Sequence, residues 1–326
     1  MRHLGIVGGG AWGTALACVA RRAGARASVW SRDPAIACAI ANERTNSVYL
    51  PGLTLDAGIE AAPTLAALAD CDALLLVAPA QAVRALAPDL PGGSPVVICA
   101  KGVEASTGLL MPEVVGKLLP GRAIAMLSGP SFAEEVARGL PTAVSIATAD
   151  ASLGRALAEG LAGGAFRPYW TDDVAGVALG GAIKNVLAIA AGIVEGRGLG
   201  HNAAAALITR GFAEMARLGQ AMGVRLETLS GLSGLGDLVL TCHGPQSRNR
   251  SLGLALGHGQ TLTQHMQGRR QVVEGAATAS AVLARAARHG IEMPLCATVD
   301  AILHRGAGLD EAIRGLLARP LRREGA

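Results

Sequence analysis

VAGVALGGAIKNVLAIAAGIVEG, residues 174–196, decides how the rest of the chain is read. From 174 to 194 it carries one charge, Lys184, with Asn185 as its polar neighbour. The length suits a membrane span, but a lysine at the centre of one costs about 2.5–3.5 kcal/mol on the insertion scale. No basic flank or aromatic belt frames the stretch, and Ala and Gly run through it. It reads as a helix buried on most of its circumference inside a soluble protein. An apolar helix gains no stability from an unpaired ammonium at its middle, so Lys184 either snorkels to water or points into a polar cleft.

With 326 residues, 51% of them hydrophobic and 17% charged, the chain has material for two domains and a substantial core. Net charge is +4, but the basic residues are scattered and only eight aromatics exist for base stacking, so nucleic acid is not an expected partner. Six widely spaced cysteines without a C-x-x-C pair point to a reduced, cytoplasmic setting. The chain opens directly into a strand-like run, HLGIVGG, which has no signal-peptide pattern. Its seven isolated histidines give no reason to expect a metal.

Residues 1–33 read as strand, glycine turn, helix and strand. Gly8, Gly10 and Gly13 form G-x-G-x-x-G between an apolar strand and the helical run TALACVARRAG, the context a dinucleotide fingerprint demands. Gly8 allows the tight turn, Gly10 the approach of a pyrophosphate, and Gly13 close packing of helix on strand. At the end of the second strand, Arg32 stands where an arginine can meet the 2′-phosphate of NADP, and Asp33 follows. The cofactor expected is NADPH or NADH, with NADP favoured.

Further apolar runs at 73–77, 95–99, 123–127 and 143–147 alternate with helical stretches, which describes a largely parallel sheet. Ligands bind such sheets beyond the carboxyl ends of the strands. Lys101 and the turn at 128–131 fall at such ends. Residues 42–51 read as an ordinary loop. Strand signals vanish from about Thr171, and helices are expected at 174–196, 201–222, 248–258, 272–289, 294–304 and 309–317, with one irregular insertion at 230–249 and a frayed tail at 320–326. The fold class is therefore a Rossmann-like α/β domain with a mainly parallel sheet, residues 1–172, followed by an all-α domain, residues 173–326. Ala- and Gly-rich helix faces could serve a homodimer or the packing between domains.

The chain has 26 arginines and only three lysines, at 101, 117 and 184. Unlike guanidinium, an ammonium can lose its proton at accessible pH when desolvated. Lys117 sits on the polar side of a helix and reads as solvated. Lys101 and Lys184 stand where packing alone does not explain them, and a desolvated lysine beside another cation can act as acid or base. Asp237 could orient such an ammonium or simply start a helix. In Ser247-Arg248-Asn249-Arg250, Arg248 can grip a phosphate bidentately, or the segment can be a solvated helix start. Ser131 could be a cap, and Glu274 a solvated helix end.

Taken together, Gly8 to Gly13 with Trp12, AKGVE at 100–104, SGPSFAEE at 128–135, GAIKNVLAIAAGIVEG at 181–196, LITRGFAEMARLG at 207–219, GLGDLVLTC at 234–242, SRNR at 247–250 and VVEGA at 272–276 resemble the bacterial-type, soluble NAD(P)-dependent glycerol-3-phosphate dehydrogenases. The resemblance implies reversible reduction of dihydroxyacetone phosphate to sn-glycerol 3-phosphate, supplying phospholipid synthesis. It makes Lys184 the catalytic acid and base. It makes Lys101, Gly129, Ser131, Asp237, Ser247, Arg248 and Asn249 substrate contacts together with Lys184. Gly8, Gly10, Ala11, Trp12, Gly13, Arg32, Asp33, Lys101, Ala133, Arg248, Val272 and Glu274 become cofactor contacts, and Asn185 and Thr241 supporting residues. Arg197 departs from the pattern, where an aliphatic residue is usual. Another hydroxyacid dehydrogenase with a lysine acid/base, or a silent dinucleotide sensor, are the alternatives.

Overall fold

The computed structural model describes residues 1–268, 272–320 and 323; most of the tail expected to fray lies outside them. Eight strands form one sheet: β1 (His3–Val7), β2 (Arg26–Trp30), β3 (Ile59–Ala62), β4 (Ala73–Leu76), β5 (Val96–Ile98), β6 (Ile124–Ser128), β7 (Thr142–Ala147) and β8 (Phe166–Thr171). Their order is β3-β2-β1-β4-β5-β6-β7-β8. The first six strands are parallel, in the doubly wound arrangement whose ligand crevice opens where the order reverses, between β1 and β4. β7 runs antiparallel to β6, and β8 parallel to β7. The central strands are buried along their length, which is why ALLL and VVI read as continuous apolar runs rather than alternating ones.

The chain pattern did not reveal β3 or β8. IEAA is short, and FRPYWT carries Arg and Pro, which suit only an edge strand, the place β8 takes. Beyond β8 the described residues contain helices and no strand. Helix α1 (Ala11–Arg22) follows β1. On the helical side, α2 (Val174–Gly196) is surrounded by α3 (Gly200–Ala221), α4 (Asp237–His243), α5 (Arg248–Gly257) and α6 (Glu274–Arg288). The insertion at 230–249 is not irregular as expected: a glycine-rich π-turn, Leu232–Gly236, leads into α4.

Helix α2 is buried from Gly176 to Val194, and its apolar window lies wholly inside the fold, as a core helix does. Its glycines are where other backbones touch it. A Cβ at Gly192 would lie 2.1 Å from the Arg250 carbonyl oxygen, and one at Gly253 would lie 2.0 Å from that of Ile189. Helices α2 and α5 therefore cross backbone to backbone. At the other end, a Cβ on Gly181 would meet the Ser128 hydroxyl at 2.8 Å, so α2 rests directly on the carboxyl end of β6. Arg197 caps the end of α2 and pairs with Asp310, which accounts for the charge at that position.

Helix α6 lies against the sheet side. Arg285 holds Glu113 with two hydrogen bonds of 2.8 and 2.9 Å and also donates to the Gly108 carbonyl. The bidentate geometry, with the Arg285 guanidinium buried, helps fix the register of the two halves.

Candidate functional site

β1, β4, β5 and β6 all end toward the same crevice. Their continuations are the glycine turn, the segment from Val77 to Ala80, Lys101 and Gly129. Gly8 adopts φ +131°, and a Cβ there would stand 2.3 Å from the Val77 carbonyl oxygen; a Cβ on Gly13 would stand 1.8 Å from that of Gly8. Both positions need glycine. Around Gly10, by contrast, a Cβ would meet nothing within 4 Å. Gly10 caps α1 without a side-chain hydrogen bond, which leaves the first N–H groups of the helix for an anion. Ala11 and Trp12 begin that helix. The Trp12 Nε1 is buried and has no hydrogen-bond partner among the described residues, nor has the Glu274 Oε2. Open space at Gly10 and orphaned polar atoms on both sides of the crevice fit a dinucleotide.

Arg32 is exposed and engaged by no described residue, whereas Asp33 accepts from the Ala35 N–H at 3.0 Å as the cap of a short helix. Val272 is exposed, two residues before α6, and Ala133 opens the short helix Ala133–Ala137. Glu274, at the start of α6, accepts from the Ala80 N–H at 3.1 Å with its other oxygen; it is not the solvated helix end that its sequence context suggested.

The centre of the site is an aspartate between two lysines. Lys184 donates to Asp237 Oδ1 at 2.6 Å and Lys101 to Asp237 Oδ2 at 2.7 Å. The Thr241 hydroxyl donates to the Asp237 carbonyl one turn back at 2.6 Å, so its oxygen receives a second hydrogen bond from Lys184, at 2.9 Å. Lys101 also donates to the Gly129 carbonyl at 3.1 Å, which Ser131 Oγ shares at 2.9 Å. Lys184 is 7% and Asp237 1% exposed, so Lys184 points into a polar cleft and does not snorkel. Burial brings the Lys184 ammonium down to about 8, with Asp237 pulling it upward and Lys101 pushing it further down. Burial works to raise the Asp237 carboxyl, but the two lysines outweigh it and hold it below the usual range.

Asn185, next on α2, donates to the Gly181 carbonyl at 3.3 Å and accepts from Asn249 Nδ2 at 2.9 Å. Asn249 Oδ1 in turn accepts from the Gly275 N–H at 2.9 Å, so this side chain ties α2, α5 and α6 together and keeps one N–H free. Ser247 caps α5 by accepting from the Arg250 N–H at 3.2 Å, and Arg250 pairs with Glu195. Arg248 is left exposed, with Glu274 and Tyr49 within electrostatic reach, and lines a concave surface with Ser247, Ser251, His265 and Val273. Of the residues named from the sequence, Lys101, Gly129, Ser131, Lys184, Asn185, Asp237 and Thr241 form one connected cluster, and Asn249 joins it through Asn185. Arg32 and Asp33 lie apart, at the end of β2.

Sequence reading missed Asn46. The loop at 42–51 is not an ordinary one: Asn46 is fully buried and donates to the Gly9 carbonyl at 2.9 Å and to Thr14 Oγ1 at 2.8 Å. Tyr49, three residues on, lies within electrostatic reach of Arg248. Nothing in the spacing of the loop signals either placement.

A doubly wound sheet whose glycine turn opens to the same crevice as a buried lysine from the helical domain, paired through Asp237 with a second lysine at a strand end, defines a dinucleotide-dependent dehydrogenase. Comparison with known proteins refines the class. The family described as NAD-dependent glycerol-3-phosphate dehydrogenase N-terminus matches residues 3–154, and its C-terminal counterpart matches residues 173–314. A protein of Caulobacter vibrioides named glycerol-3-phosphate dehydrogenase [NAD(P)+] is 56% identical, with 98% of each chain covered. One of the same name from Rhodospirillum rubrum is 55% identical over 99% of this chain and 94% of its own. The crystal structure of glycerol-3-phosphate dehydrogenase from Coxiella burnetii superimposes with a TM-score of 0.92 at 41% identity, covering 98% of this chain and 99% of that one. The chain belongs to the NAD-dependent glycerol-3-phosphate dehydrogenase family.

Proposed function

We propose that this protein reduces dihydroxyacetone phosphate to sn-glycerol 3-phosphate with NADPH or NADH, reversibly, and that Lys184 is its acid and base. The observation that carries the reading is the desolvated Lys184 ammonium, held by Asp237 and Thr241 at the crevice into which the glycine turn also opens. A bound nicotinamide dinucleotide supplies the hydride. Lys184 holds a proton for the C2 carbonyl oxygen of the substrate and takes it back from the alcohol in the reverse direction. Asp237 fixes both ammonium groups, Thr241 fixes the direction of Lys184, and Asn185 ties the neighbouring turn of α2 to α5. Lys101, on the Gly129 carbonyl shared with Ser131, adds positive charge beside the reacting oxygen, where negative charge develops.

Arg248 and Ser247, at the start of the ten-residue helix α5, receive the phosphate, with Asn249 behind them. On the cofactor side, Gly8, Gly10, Ala11, Trp12 and Gly13 take the pyrophosphate, while Ala133, Val272 and Glu274 line the crevice. Arg32 is exposed and engaged by no described residue while Asp33 is engaged as a cap, which supports a 2′-phosphate contact and NADP over NAD. A domain boundary after Asp172 is supported by the end of β8 at Thr171 and the start of α2 at Val174. Six free thiols support a cytoplasmic protein. Exposed Leu199 and the exposed alanines at 205 and 206 offer a face for a homodimer. The product would feed phospholipid synthesis.

The test is absorbance of the reduced nicotinamide with purified protein and either cofactor. Oxidation should require dihydroxyacetone phosphate and fail with dihydroxyacetone. Oxidation with a carboxylate hydroxyacid precursor instead, or none with any substrate while cofactor binds, would overturn the reading.

A further inference from the structure

We infer that Asn46 is a positioning residue for cofactor binding: its amide sets the Gly9–Gly10 peptide so that the Gly10 N–H faces the pyrophosphate. Asn46 lies 37 residues from Gly9 in the chain yet is 0% exposed, inside the glycine turn. Its backbone carbonyl closes a turn by accepting from the Tyr49 and Leu50 N–H groups at 3.1 and 2.7 Å. A bridge between Thr45 and Thr54, and the Leu55 N–H on the Arg44 carbonyl at 2.8 Å, close the loop at its base. The side chain is therefore delivered by a tied loop.

Its two N–H groups then have fixed uses. One binds the Gly9 carbonyl and the other Thr14 Oγ1, while Thr14, also 0% exposed, donates its own backbone N–H to the Gly10 carbonyl at 3.0 Å. In a trans peptide the C=O and the following N–H point in opposite directions. With the Gly9 carbonyl aimed at Asn46, the Gly10 N–H is aimed away from it. No described residue accepts from that N–H, and a Cβ on Gly10 would enter open space. Glycines leave both orientations of this peptide accessible, so the turn needs an external donor to select one. Asn46 Oδ1 has no partner among the described residues, so the amide acts here through its donors.

The inference rests on the glycine turn as a dinucleotide site and not on the identity of the substrate. Asn46→Asp keeps the shape, removes both donors and sets a carboxylate oxygen against the Gly9 carbonyl; Asn46→Ala removes the bonds without the repulsion. The measurements are calorimetric affinities for NADPH and for ADP-ribose, which has the pyrophosphate but no nicotinamide, followed by steady-state kinetics at saturating cofactor. Both variants should bind both ligands at least tenfold more weakly, Asn46→Asp the more so. The kcat and the substrate KM should stay within twofold of wild type. A folded variant of either kind that binds ADP-ribose as wild type does, or an equal fall in kcat at saturating cofactor, overturns the inference. The calorimetry needs no turnover, so an error about the substrate would leave this test intact.

Discussion

Replacing Asp237 with Asn keeps the outline of the side chain and removes the charge that Lys101 and Lys184 share. Both ammonium groups lie within 2.7 Å of its oxygens; Asp237 and Lys184 are buried, and Lys101 is partly so. Removing one partner of a buried pair costs about 3–5 kcal/mol. A desolvated ammonium escapes that cost by losing its proton, and at about 1.36 kcal/mol per pKa unit the lower bound corresponds to a fall of roughly two. Lys184, now at about 8, should then titrate near ~6. Reduction needs the protonated lysine, so its kcat/KM falls as pH rises through this pKa, while alcohol oxidation, which needs the neutral form, rises. At pH 7.5 the protonated fraction should drop from about three-quarters to about 3%, a loss of roughly 25-fold from protonation alone. The assay is kcat/KM for reduction between pH 5 and 9 in wild type and Asp237→Asn. A descending limb that stays near 8 in the variant, whatever its overall rate, would refute the claim that Asp237 sets the proton affinity of Lys184.

Three other substitutions probe separate parts of the account. Arg248→Ala removes a charge-assisted phosphate contact of about 1.5–3 kcal/mol and should raise the substrate KM roughly 10- to 100-fold; an effect confined to cofactor affinity would contradict it. Arg32→Ala should raise the KM for NADPH several-fold more than that for NADH, and equal changes would remove the basis for a 2′-phosphate contact. Gly253→Ala sets a Cβ 2.0 Å from the Ile189 carbonyl oxygen and must open the α2–α5 crossing, at about 2–4 kcal/mol; an unchanged melting temperature would mean the helices yield freely.

What was legible in the sequence was what short-range pattern encodes. Lys184 stood out because its helix has no other charge over twenty residues, and the glycine turn because strand and helix flank it. The central strands showed as apolar runs, since burial on both faces removes alternation. The edges of the sheet did not show: β3 has four residues, and β8 carries the Arg and Pro that an edge tolerates. Nor did the reversal at β7, because strand direction is not written in composition. Asp237 was legible only as one of two options, an orienter of an ammonium or a helix start, because its lysines lie 53 and 136 residues away, one on α2 and one past the end of β5, and only the fold brings all three together. Asn46 is the sharpest case. A polar residue in a polar loop reads as solvated, and only the closed loop shows it buried.

The most direct test of the central claim is the rate of reduced-nicotinamide oxidation by Lys184→Met with saturating dihydroxyacetone phosphate, taken alongside the cofactor affinity of the same protein. Methionine fills the space of the lysine stem and carries no transferable proton. Turnover should be lower by several orders of magnitude, with cofactor bound as in wild type. Turnover near the wild-type rate would show that the proton comes from elsewhere and that the Lys184–Asp237–Lys101 cluster is structural.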